Sequence, residues 1–209
     1  ILTKSFRMRE FIVILVLSCI ITSSFAQHRV YVSSSAEGAN DGSSWYDAYK
    51  DLNLALVNAK AYIESNPGQK VDIWVAGGNY HKSSAIPRNS SFTMQPGISL
   101  YGGFVGYEIS FSQRDLAANV YTILSGDDSC RVLTADIPLS ADPVSIDGFY
   151  LESGNSTGLA NTEGSAAILK GNVIIRNCHV INCSGNSAIC IDHSGYSLTS
   201  PRQTLKNVV

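Results

Sequence analysis

The feature that most constrains this chain is a weak internal repeat: an aliphatic residue, one variable residue, then Gly or Asn. It recurs as Val75-Ala76-Gly77, Leu100-Tyr101-Gly102, Leu124-Ser125-Gly126, Ile146-Asp147-Gly148, Ile175-Arg176-Asn177 and Leu205-Lys206-Asn207, at steps of 25, 24, 22, 29 and 30 residues. A repeat of 20 to 50 residues is the mark of a solenoid or a propeller, because one such unit cannot bury an apolar face alone. The leucine-rich consensus is absent, no unit carries two helical stripes, and propeller blades need about 40 residues or more. Short strands separated by Gly, Asn and Ser turns fit a parallel β-helix, in which each coil lays its strands about 4.8 Å above those of the previous one. Gly or Asn after the aliphatic residue suits the left-handed backbone of a sharp bend. A second, smaller repeat aligns Ala167-Ile168-Leu169 with Ala188-Ile189-Cys190.

The fold class predicted is therefore all-β, a right-handed parallel β-helix. Composition agrees, with 15% charged residues, 17 Gly among 209 residues and many β-branched side chains. Residues 28–32 read as a strand and 33–44 as a turn-rich stretch. One helix is expected over about Tyr46 to Glu64, where Leu52, Ala55, Leu56, Ala59 and Ile63 form an apolar stripe and Asn66-Pro67-Gly68 stops the run. A lone amphipathic helix ahead of many strands is expected to cap the open end of the stack. The organisation read is a leader over 1–26, a strand, turn-rich stretch and capping helix over 27–70, and β-helix coils over 71–209.

The leader reads as a secretory signal peptide. Met8 is the expected natural start; Arg9, the apolar run Phe11 to Ile21 and the ending Ser24-Phe25-Ala26 follow it, so cleavage is expected before Gln27. Val16-Leu17-Ser18-Cys19 offers a lipoprotein alternative, though Leu17 and Ile20-Ile21 fit it poorly. The apolar run is shorter than the roughly 20 residues of a membrane span, and no transmembrane helix is expected in the mature chain. Loss of Lys4, Arg7, Arg9 and Glu10 takes the formal charge from −2 to −4, and no basic run marks a nucleic-acid partner. Cys130, Cys178, Cys183 and Cys190 are too few for a disulfide scaffold; buried thiols are favoured, with one disulfide or a metal site as alternatives.

Several segments over Val30 to Asp127 carry a resemblance. They are Gly38-Ala39-Asn40-Asp41-Gly42-Ser43-Ser44-Trp45, the Leu52/Leu56 helix, Ile73-Trp74-Val75-Ala76-Gly77-Gly78-Asn79-Tyr80, Leu100-Tyr101-Gly102-Gly103-Phe104, Arg114-Asp115 and Thr122-Ile123-Leu124-Ser125-Gly126-Asp127. Together they resemble the N-terminal part of bacterial secreted right-handed β-helix repeat proteins of the pectin-lyase-like fold. The later coils are similar to polymorphic-outer-membrane-protein repeats in degenerate form. The Gly-Gly-Ala-aliphatic motif is reduced to Ser165-Ala166-Ala167-Ile168 and Asn186-Ser187-Ala188-Ile189, and Phe-x-x-Asn to Val180-Ile181-Asn182-Cys183. The resemblance implies a secreted, cell-surface or outer-membrane location. Relatives of this type carry further coils and an anchoring module, so the chain is expected to be a piece truncated at its C-terminus.

The repeat places Asp147, Arg176 and Lys206 at one position of three coils, where pairing across strands is the favoured reading. The same three are the candidates for catalysis, because polysaccharide lyases of this fold carry calcium-binding Asp and a basic proton acceptor on one sheet face. Asp127 and Asp128, with Asp142 and Asp147 further on, are the candidates for calcium against a reading as solvated turns. His179 and His193 read as surface groups without an orienting carboxylate. Tyr101, Tyr107 and Tyr150 are candidates for a sugar-stacking surface. Asn89-Ser90-Ser91 and Asn155-Ser156-Thr157 are sequons expected to be chance matches in a bacterial protein. The expectation is a non-enzymatic, adhesin-like module that binds polysaccharide or cell-surface glycan and needs no cofactor. A polysaccharide lyase or glycosidase whose active coils are largely missing is the alternative.

Overall fold

The computed structural model describes residues 27–81, 91–159, 161–192, 204–206 and 208–209. Residues 1–26, read above as a leader and including Met8 and Cys19, the sequon residue Asn89 and His193 lie outside them. Strands β1 (His28–Val32), β2 (Val71–Ala76), β5 (Ile98–Phe104), β8 (Val144–Asp147), β11 (Val173–Arg176) and β14 (Thr204–Lys206) form one six-stranded sheet. A second sheet holds β3 (Gly78–His81), β6 (Thr122–Ser125), β9 (Tyr150–Glu152) and β12 (His179–Ile181). A third holds β4 (Phe92–Met94), β7 (Leu133–Ile137), β10 (Ala167–Gly171) and β13 (Ile189–Asp192). From β2 onward the chain visits the three sheets in strict rotation, and every strand pair between neighbours is parallel. The fold is mostly strand, as composition and repeat predict.

The alternation of side chains along each strand explains the core. Val30, Ile73, Leu100, Ile146 and Ile175 occupy matching positions of the first sheet and are all buried. Leu124 and Leu151 do the same in the second sheet, and Leu133, Ala135, Ala167 and Leu169 in the third. These inward faces meet in a single apolar cluster. At about 25 cal/mol per Å² of apolar surface, such stacked aliphatic columns are the main favourable term of the fold.

Helix α1 (Leu52–Ser65) starts six residues after the predicted Tyr46. The apolar stripe was read correctly, but the start is set by Asp51, whose carboxylate caps the Asn53 amide at 2.7 Å. Leu52, Ala55, Leu56 and Ala59 are buried in the same cluster as Val30 and Val32.

The register corrects the repeat in three places. Leu100, Ile146, Ile175 and Leu205 do fall in one column. Val75 does not: Ile73 pairs with Leu100, and a bulge then shifts the register between Trp74 and Ala76. Leu124 lies in the second sheet, paired with Leu151. The apparent steps of 24 and 22 thus add up to one long cycle that carries an excursion over residues 105–121. In the smaller repeat Ala167 pairs with Ile189, one residue away from the Ala-to-Ala alignment. Identical letters misled there; a slip of one residue would turn the buried Ala167 and Leu169 outward.

Candidate functional site: the outer corner between the first and second sheets

The outward residues of the first sheet form a column of Tyr31, Trp74, Tyr101, Asp147, Arg176 and Lys206, each in register with the next. The predicted alignment of Asp147, Arg176 and Lys206 is therefore present in the fold. The pairing expected along it is not. Asp147 binds Arg114, whose guanidinium reaches the Asp147 carboxylate at 3.2 Å and its carbonyl at 2.8 Å. The same carboxylate oxygen accepts a 2.9 Å bond from the Asn177 amide. Arg114 also donates to the Gly102 carbonyl at 2.5 Å, and both partners of the pair are almost fully buried. Arg176 has a buried Nε without a hydrogen-bond partner, and Lys206 is exposed.

The aromatic half of the column is sealed. Trp74 stacks on Phe104 at 4.5 Å, carries the Arg29 guanidinium 3.8 Å above its ring and is 1% exposed. Phe111, from a short 3-10 helix at Phe111–Gln113, lies edge-on to Tyr101 at 5.0 Å. The 105–121 excursion is itself pinned: Glu108 accepts the amides of Val105, Gly106 and Tyr107, and the Trp45 indole donates to its carbonyl at 2.9 Å. Burial works to raise the Glu108 carboxyl, but these backbone bonds outweigh it and hold the group below its ordinary value.

The chain turns the corner at Gly148 and Asn177, both with left-handed backbone (φ 84° and 48°). Gly148 is required twice over, because a Cβ there would lie 2.0 Å from an Arg114 guanidinium nitrogen. Just past this corner a cleft of about 420 Å³ opens, lined by Leu116, Asn119 and Tyr121 of the excursion and by Tyr150, Asn177 and His179. Tyr150 and His179 are neighbours on β9 and β12 and stack at 4.6 Å with planes 8° apart. Tyr121 meets Tyr150 edge-on at 5.0 Å and remains 49% exposed. Aromatic surface beside amide groups in a concave site is the composition that holds a sugar, with rings for its C–H faces and amides for its hydroxyls.

Of the three tyrosines read as candidates, only Tyr150 lines this cleft. Tyr101 lies edge-on to Phe111 at 5.0 Å, and Tyr107 is 74% exposed on the excursion. The acidic residues do not gather. Asp127 pairs with His81 at 2.6 Å, Asp142 with Lys70 at 2.7 Å and Asp147 with Arg114, while the Asp128 carbonyl accepts the Asn155 amide. Among the described residues no group of three His, Cys, Asp or Glu side chains could hold a metal ion. The four cysteines are free thiols, and burial raises the Cys178 thiol to about 11. No helix among the described residues is long and apolar enough to cross a membrane.

The residues that sequence reasoning missed are those of the excursion. Arg114 was visible within Arg114-Asp115, yet no periodicity links it to Asp147, 33 positions away. Tyr121 and Asn119 stand at the excursion's end, where the tyrosine one residue before β6 was the only signal. Asp72 was also missed; burial raises its carboxyl to about 6 against the pull of Arg29 and Lys70. Comparison with protein-family models, with curated proteins and with solved structures finds no match in any of the three.

Proposed function

We propose that this chain is a secreted or cell-surface right-handed parallel β-helix of the pectin-lyase-like type, and that it binds carbohydrate without turning it over. The rotation of parallel strands through three sheets supports the fold reading. One observation carries the functional reading: the cleft past the Gly148 corner sets Tyr121, Tyr150 and His179 beside the amides of Asn119 and Asn177. Against turnover stands the dispersal of the carboxylates of Asp127, Asp142 and Asp147, each engaged by a different side chain, because glycoside hydrolysis works through two carboxyl groups flanking one bond.

Affinity electrophoresis of the 27–209 chain through gels containing neutral and acidic polysaccharides tests the proposal. At least one polysaccharide is expected to retard the chain, and Tyr121→Ala or Tyr150→Ala to weaken that retardation about tenfold, ~1.4 kcal/mol. The same polysaccharides, incubated with the chain and calcium, are expected to release neither unsaturated products nor reducing ends. Retardation unaffected by both substitutions would overturn the site, and steady product release would overturn the non-enzymatic reading.

A further inference from the structure

We infer that a second cleft, between helix α1 and strand β1, binds a small organic cation of the alkylammonium type. The site is separate from the Gly148 corner and does not rest on the carbohydrate reading. The cleft has a volume of about 380 Å³, and its lining joins buried Val30 and Ala59 to the partly buried rings of Tyr49 and Tyr62. Aromatic rings attract a cation through the negative charge of their faces, most strongly where water is kept away. Among the described residues that line the cleft, Asp41 is the one carboxylate, and no Lys or Arg stands there. The Ser43 hydroxyl and amide hold the Asp41 carboxyl below its ordinary value, so it is an anion at neutral pH. The C-terminal end of α1 adds to this, since Ser65 and Asn66 also line the cleft. The last turn of α1 carries no basic side chain, so the negative end of the helix dipole is left unmatched.

His28 does not oppose a cation here. It stacks on Tyr62 with centroids 3.9 Å apart and planes 12° apart, and burial pulls its imidazole below the ordinary value, so the ring is neutral at neutral pH. An anion would meet both Asp41 and the negative helix end, and a neutral apolar molecule would leave both unused. A methylated ammonium ion offers positive charge and apolar surface in one group, which is what rings beside a carboxylate select. The volume lies at the small end of the range for small-molecule sites, about 300–1,000 Å³, and suits a compact ligand. The formal charge of −4 on the mature chain favours the approach of a cation as well.

Amide chemical-shift titration of the 27–209 chain with choline, with phosphocholine and with the uncharged isostere of choline, in which carbon replaces nitrogen, tests this. Choline is expected to shift the amides of Val30, Tyr49 and residues 58–66 saturably, and to bind about tenfold or more tightly than its isostere. Raised salt should weaken choline and leave the isostere unchanged. Phosphocholine, whose phosphate meets Asp41, should bind more weakly than choline. Asp41→Asn and Tyr62→Leu should each weaken choline about threefold or more, whereas Tyr62→Phe keeps the ring and most of the affinity. Asp41 is exposed, and asparagine keeps an oxygen for the Ser43 amide, so that variant reports on binding and not on folding. No saturable shift with choline, or equal affinity for its isostere, would overturn the inference. Undiminished binding in the Asp41→Asn/Tyr62→Leu double variant, or choline shifts centred on the Gly148 corner, would overturn it as well. Phosphocholine binding more tightly than choline would overturn the assignment of a free cation.

Discussion

Asp72 and Asp147 show how two strands of one sheet, β2 and β8 with β5 between them, give two outward carboxylates opposite environments. Asp147 is buried but matched, with Arg114 and Asn177 on its carboxylate. Asp72 is half-buried, accepts one 2.6 Å bond from the Gln27 amide, and has its carboxyl raised from 3.8 to about 6 by burial, with Arg29 and Lys70 pulling the other way. A carboxyl with a raised folded value binds protons more readily in the folded than in the unfolded state. Its contribution to stability is therefore complete below about pH 4 and is lost as pH rises through about 6. Chemical denaturation across pH 4 to 7 is expected to show this fall, on the order of 1–2 kcal/mol once solvent screening of a partly exposed group is allowed for. Asp72→Asn should flatten it. Equal slopes in the two proteins would show that Asp72 does not titrate as described.

At the scale of elements, the 105–121 excursion decides what the surface can do. It covers Trp74 and Tyr101 with Phe111, supplies Tyr121 and Asn119 to the cleft, and is bolted to the first sheet by Arg114. Breaking a buried ion pair by removing one partner costs about 3–5 kcal/mol, because the other charge stays buried. Arg114→Met is expected to lower unfolding free energy by about that amount, and the Arg114→Met/Asp147→Leu double variant to recover part of it. A loss below about 1 kcal/mol for Arg114→Met would contradict the anchoring role. The sequence made the regular elements legible, since an aliphatic residue in a stacked column is selected again on every strand, as at Leu100, Ile146 and Ile175. The buried stripe of α1 was equally plain, because Leu52, Ala55, Leu56 and Ala59 follow the helical period. The excursion was not legible, because it occurs once and its bonds to Gly102 and Asp147 depend on how sheets bring distant residues together. Register was legible only where burial and letters agreed; at Val75 the aliphatic-x-Gly letters lay two residues past Ile73, the true partner of Leu100, and at Ala188 an identical letter sat one residue off.

At the scale of the whole molecule, the rotation of parallel strands turns a one-dimensional repeat into long outward columns. Each column is a linear array, which suits a linear polymer better than a compact ligand. The corner between the first and second sheets is where two such columns meet, the aromatic one through Tyr150 and His179 and the charged one through Arg176 and Lys206. The central claim, that this corner is the binding surface, is tested most directly by amide chemical-shift mapping of the 27–209 chain during titration with an oligosaccharide that retards it. The account predicts shifts confined to Asn119, Tyr121, Gly148, Tyr150, Asn177 and His179 and their neighbours, with the amides of helix α1 unmoved. Shifts centred on α1 or on the third sheet, with the Gly148 corner silent, would contradict it.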